Sequence, residues 1–223
     1  MDKFEETNVK VNMWLHDMNA TVNKEVKSRG INNQNDLWHG VKNVKKLMKK
    51  ITDGAKKNHG KTWHQELDDK LLAVTTHVHW ATRNCAGDPT VLRQNLDNII
   101  PHYENNHENC NPSSRCKSQD NYQPTKKVIT NPIAKQLLEK VVKSCTIYKN
   151  ASSFAYAKDT HYVESFNNVI NICQDKRISF SSEEYRMRSY LAVLHWNENV
   201  DRAETSVWVK PSGQNRRGKT KKI

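Results

Sequence analysis

Val9, Val11, Met13 and Leu15 alternate with polar neighbours before the run reaches His16 and Asp17, and this short alternation limits the fold more than any other feature. A period of two belongs to a half-buried strand, whereas the apolar residues of nearly everything that follows recur at three and four residues, the spacing of a helix. Asp17 stands at the strand's carboxyl end, the edge at which open α/β sheets place their ligands. Ala20, Val22 and Val26 fit a short helix closed by Arg29-Gly30, and Ile31 begins a second brief extended segment. With so little β structure, the expected fold class is mostly α with a small β remnant.

The next stretch predicts a long helix capped by Asn35 or Asp36, with Leu37, Val41, Val44, Leu47, Met48 and Ile51 as its apolar stripe. Lys42, Lys45, Lys46, Lys49 and Lys50 decorate its remaining surface, and Lys56 and Lys57 follow. Lysines projecting from one helix can lie along a phosphate backbone; a solvated helix face explains the same residues without a ligand. A second helix is expected from Thr62 to Asn84, carrying Trp63, Leu67, Leu71, Val74, Val78 and Ala81. A third, with Val91, Leu92, Leu96 and Ile99, should stop at Pro101. After Pro132 a helix resumes, and an irregular connection spans Tyr148 to Tyr156. Ser181 and Glu184 form a capping box for a last helix whose face is Met187, Tyr190, Leu191 and Leu194. The tryptophans Trp14, Trp38, Trp63, Trp80, Trp196 and Trp208 are dispersed, and most of them suit core anchors better than base-stacking platforms.

Charge bears on partners. The net charge is +12, and about half of it sits in the last stretch, on Lys210, Arg216, Arg217, Lys219, Lys221 and Lys222, with no acid among them. The body is therefore basic in its own right, a balance that favours DNA or another polyanion as partner, with simple solubility as the alternative. The tail is expected to be disordered, and it suits either a nuclear address or non-specific phosphate contacts. No apolar run approaches the ~18 residues of a membrane span, so no membrane partner is expected. Five scattered cysteines argue against a secreted disulfide framework and for reduced thiols or a metal.

Four of the candidate metal ligands lie in the loop-like stretch from Pro101 to Thr125: His102, His107, Cys110 and Cys116. Zinc prefers four nitrogen and sulfur donors, and a short loop carrying them can close around the ion. The spacings match no familiar zinc module, so a reduced, mobile loop stays open beside structural zinc.

A second candidate is the helix DTHYVESFNNVINICQDKR, 159–177. Val163, Phe166, Ile170 and Cys173 should form one buried stripe, with Glu164 at its edge and His161, Asn167 and Asn168 sharing its surface. A carboxylate ringed by amides and an imidazole can hold a metal ion or be a satisfied polar edge.

Taken in order, Asp17 after a strand, Asp36-Leu-Trp38-His39 soon afterwards, and the late step His161-x-x-Glu164-Ser165-x-Asn167 resemble the distal part of a DDE transposase of Kolobok or Mutator-like type. The likeness runs from about Val9 to Val200. It implies a truncated ribonuclease-H-like fold interrupted by a helical insertion, and two-metal cleavage and strand transfer at phosphodiester bonds using Mg2+. Asp17 would be the second carboxylate and Glu164 the third. A first carboxylate belongs on an earlier strand, so the expectation is a transposase-derived fragment, inactive alone, that keeps some DNA binding and awaits a missing N-terminal half or a partner copy in a homo-oligomer. The alternative is a basic nucleic-acid-binding or zinc-stabilised interaction module without catalysis. The resulting division is 1–36 partial core, 37–158 helical insertion with the Cys/His-rich loop, 159–205 returning core helices, and 206–223 basic tail.

Overall fold

The computed structural model describes residues 10–112, 114–203, 206–209 and 219–222, with side chains up to residue 203. The chain is mostly helical and forms two compact units, 1–160 and 161–223.

The first unit opens on β1 (Met13–His16), α1 (Ala20–Ser28) and β2 (Asn32–Asn35). The strands pair in parallel with Met13 opposite Asn32, which requires a crossover, and α1 provides it. Asn19 caps α1 by accepting from the Thr21 and Val22 amides. Gly30, at φ 68°, turns the chain out of the helix in the left-handed region that glycine occupies without strain.

β2 reads Asn-Asn-Gln-Asn, yet three of its residues are buried. A polar strand survives there because its side chains find partners. Gln34 Nε2 donates to Ser152 O at 2.9 Å and Asn32 Oδ1 at 2.8 Å, and Asn33 joins His16, Asn23 and Ser153.

The core gathers on α2 (Leu37–Thr52), whose Leu37, Val41, Val44, Met48 and Ile51 are buried as their spacing predicts. α3 (Lys70–Arg83), α7 (Pro132–Ser144) and α8 (Thr146–Lys149) pack against it, and α4 (Pro89–Asp97), α5 (Ile99–Tyr103) and α6 (Arg115–Ser118) are the other helices of this unit. Gly40 lets α2 approach its neighbours: a Cβ there would lie 2.8 Å from Phe154 and 2.9 Å from Ile147. Lys70 is fully buried, donating to Asp69 Oδ1 at 2.6 Å and to the Lys127 carbonyl.

Three expectations about where elements begin and end in this unit need correction. The helix expected from Thr62 begins only at Lys70, because Trp63 and His64 are held by the end of α2. Trp63 Nε1 donates to Ala55 O at 3.0 Å and His64 N to Ile51 O at 3.1 Å; Leu67 still enters the core from a 3-10 turn. Pro101 does not stop the chain's helix but sits in the first turn of α5, where its missing N–H has no partner to lose. The connection from Tyr148 to Tyr156, expected to be irregular throughout, takes in the last residues of α8 and a 3-10 turn, Ala151–Ser153.

The second unit is a hairpin of α9 (His161–Cys173) and α10 (Ser182–Asn199), followed by β3 (Ser206–Val209) paired antiparallel with β4 (Lys219–Lys222). Ser181 Oγ accepts from Glu184 N at 3.2 Å, one half of the expected capping box, while the Glu184 carboxylate accepts from Arg188. The stripe of α9 is not buried as expected. Val163 is 57% exposed, Phe166, Ile170 and Cys173 are half-buried, and Phe166 meets the Trp196 ring edge-on at 5.6 Å. Met187, Tyr190, Leu191 and Leu194 of α10 are exposed too. Two helices share one seam, and the apolar residues of this pair outnumber the places on it.

Within the tail expected to be disordered, the described residues are strands, with Lys219, Lys221 and Lys222 on β4. Lys210, Arg216 and Arg217 lie outside the described residues. Among the described residues, no helix is long and apolar enough to cross a membrane.

Candidate metal centre and carboxylate corner

α5, the loop after it and α6 bring His102, His107, Cys110 and Cys116 together, with one ligand atom of each within 4.8 Å of all the others. α5 carries His102 and ends at Glu104; Asn105 then takes a left-handed φ of 64°, which asparagine tolerates better than most residues. A turn closed by Cys110 N donating to His107 O at 3.1 Å folds the next two ligands back, and α6 delivers Cys116.

The distances suit one ion. His102 Nδ1 lies 3.4 Å from Cys110 Sγ and 3.9 Å from Cys116 Sγ, and His107 Nδ1 lies 3.7 Å from Cys110 Sγ. Tetrahedral zinc with its usual bond lengths sets nitrogen and sulfur about 3.6 Å apart.

The surroundings prepare the donors. His107 Nε2 is 3.0 Å from Asn105 Oδ1; as the carbonyl can only accept, the proton belongs on Nε2 and the Nδ1 lone pair points inward. Asn98 Nδ2 donates to Cys110 Sγ at 3.3 Å, and Ser114 Oγ lies 3.2 Å from Cys116 Sγ. Burial, then the neighbouring His107, lowers the His102 pKa; burial, then Lys117, lowers that of His107. Both shifts favour the neutral imidazole, the form that binds a metal. Burial raises the Cys110 thiol, so an ion is what would draw off its proton. The donor set fits zinc, which would crosslink α5, the loop and α6.

A second cluster lies at the carboxyl ends of β1 and β2, where Asp17, Asp36 and His39 come within 4.8 Å of one another. His39 Nδ1 is 3.6 Å from Asp17 Oδ1 and 3.4 Å from Asp36 Oδ1. Asp17 is exposed, as an edge residue should be. Asp36 is buried and engaged on both oxygens: Oδ1 accepts from His39 N at 2.9 Å as the cap of α2, and Oδ2 accepts from Thr160 N at 2.8 Å and Thr160 Oγ1. Burial alone would raise its pKa; the bonds from Thr160 and His39 outweigh it and hold the carboxyl below its ordinary value. Magnesium binds through one or two carboxylates, with waters completing its octahedron of oxygens. Asp36 already accepts three hydrogen bonds and His39 offers nitrogen, so Asp17 is the one carboxylate left to an ion, and the corner does not fit the two-metal site that the resemblance implies.

Glu164, in the second unit, is exposed on the first turn of α9. Lys42, Lys45, Lys46, Lys49 and Lys50 are all exposed along α2, and that helix contains no acidic residue. The four candidate ligands were readable from the sequence, but their outer partners Asn98 and Asn105 were not. Only the position of Asn105, two residues before His107, hinted at its part. Trp38, one of six tryptophans of which most were expected to be core anchors, is 50% exposed.

No family model matches the chain, and the searches of curated proteins and of solved structures gave no match either.

Proposed function

We propose that this chain is a DNA-binding helical module, stabilised by zinc and descended from the distal part of a DDE-type transposase, and that its binding does not depend on catalysis. The observation that carries the binding is α2. Among the described residues, Lys45, Lys46, Lys49 and Lys50 project from it without a carboxylate partner, so their charge is free to displace counterions from phosphate. The helix begins at Asp36, beside Asp17, and a strand lying along it would be led to the edge at which the resemblance puts the chemistry. Descent with a ribonuclease-H-like fold rests on the motif order and on the parallel β1-α1-β2 unit with Asp17 at its edge. The ancestral role of Glu164 rests on the resemblance alone.

The test is anisotropy of a labelled duplex across a salt series. Replacing Lys45, Lys46, Lys49 and Lys50 by alanine should weaken binding evenly across sequences and lower the salt slope by about 3 to 4. Binding that ignores salt, or a quadruple variant that binds as the parent does, sinks the reading. Nicking of supercoiled DNA with Mg2+ that is lost in Asp17→Asn would replace it with an enzyme.

Structural zinc is the second part of the proposal, supported by four donors converging at zinc-like separations. Metal analysis of the purified protein should find one zinc per chain, and none in Cys110→Ser.

A further inference from the structure

Trp38 is out of place for a structural tryptophan. It stands in the first turn of α2, half exposed, while the apolar stripe of the same helix is turned into the core. Its neighbours define what it can take. The Lys42 ammonium lies 3.2 Å from the ring centroid, the His39 ring meets it edge-on at 5.0 Å, and the lysines of α2 continue away from it along the helix. A wide aromatic surface at the end of a row of cations is the combination with which proteins hold single-stranded nucleic acid: the cations follow the phosphates and the ring stacks a base.

We infer that Trp38 and Lys42 form a stacking subsite for one unpaired base of DNA bound along α2. The inference rests on the DNA-binding reading above. Lys42 explains how the ring is kept until the base arrives. Without DNA its ammonium rests on the electron-rich ring. A phosphate from the incoming strand gives that ammonium a stronger partner, and its departure bares the ring for the base. Duplex DNA keeps its bases stacked on one another and so offers phosphates to the lysines but no base to Trp38. The subsite therefore favours a single strand, or a duplex with an unpaired end, over a fully paired duplex of the same length.

The experiment compares the wild-type full chain with Trp38→Ala, Trp38→Phe and Lys45→Ala on three labelled probes: a paired duplex, the same duplex with a short single-stranded overhang, and oligo(dT). The wild type is expected to prefer the two probes with unpaired bases, and its tryptophan fluorescence to be quenched by oligo(dT). Trp38→Ala should lose about tenfold in affinity for those probes, bind the paired duplex unchanged and keep the parent salt slope. Trp38→Phe should recover part of the affinity while losing most of the quenching, which shows that the variants are folded. Lys45→Ala should weaken all three probes alike.

Trp38→Ala that binds every probe as the parent does overturns the stacking subsite while the lysine ridge stands. Equal weakening on all probes, the paired duplex included, overturns it as well, because the residue then acts through the fold. Failure of the wild type to bind any probe overturns the reading beneath it.

Discussion

The His/Cys centre and the carboxylate corner each gather ligand-type side chains within 4.8 Å, yet their surroundings treat those side chains in opposite ways. At the centre, the outer hydrogen bonds leave the donor atoms free. Asn105 holds the far nitrogen of His107, and Asn98 gives an N–H to Cys110 that stabilises developing negative charge on sulfur. At the corner the bonds fall on the would-be ligand itself, as Asp36 accepts from His39 and twice from Thr160. Proximity alone ranks the two clusters together; the direction of the outer bonds separates a place for an ion from a joint in the fold.

The largest effect that can break this comparison is metal removal. With zinc holding α5, the loop and α6, a strong chelator should lower the melting temperature by about 10 °C or more, because structural zinc contributes folding free energy directly. Asp17→Asn should leave both the zinc content and the melting curve unchanged. A chelator without effect on the melting curve would return the Cys/His loop to a set of reduced thiols.

Next in size is the joint itself. Asp36→Ala removes a helix cap and leaves the buried Thr160 donors without their acceptor, a loss of about 2–4 kcal/mol in a urea titration. Asp17→Ala, at the exposed member of the same cluster, should stay within about 0.5 kcal/mol. Equal losses at the two positions would mean that Asp17 supports the fold as strongly as Asp36 does.

How much of this was legible in the sequence follows from the kind of signal each feature has. The stripe of α2 and the cap at Asp36 are periodic or local, and the structure places them as expected. The four zinc-type ligands were recognisable by residue type. The start of α3 at Lys70 was not legible, because apolar spacing from Trp63 onward is continued by a 3-10 turn held to α2. The buried stripe of α9 failed for a different reason: periodicity says which residues share a face and is silent on whether anything covers it. Trp38 lies one position off the buried stripe of α2, so its residue type suggested a core place that its position in the helix does not give.

A pH titration sharpens the corner from another side. The folded Asp36 carboxyl titrates below its ordinary value, so it contributes stability that is present above about pH 4 and is lost as the pH falls through the lowered value. Glu66 acts in the same sense. Burial would raise its pKa, but the Asn131 and Thr130 amides at the start of α7 and the Thr130 hydroxyl lower it. Glu66→Gln should therefore cost about 1–2 kcal/mol at neutral pH and flatten the acid limb of the stability curve. An acid limb unchanged in Glu66→Gln would place that pH dependence elsewhere.

The smallest effect tests the feature that most distinguishes the centre. Asn105 makes no metal bond of its own; it accepts the His107 Nε2 proton while its backbone sits at φ 64°. Asn105→Gly keeps that backbone conformation without strain and deletes only the acceptor. Freed of it, His107 can place its proton on Nδ1, and that tautomer must be reversed before the ring binds a metal. Zinc affinity measured by competition with a chromophoric chelator should fall about tenfold, while the melting temperature with saturating zinc stays near the parent value. Unchanged affinity would show that Asn105 only turns the loop, and the outer bonds would then no longer distinguish the centre from the corner.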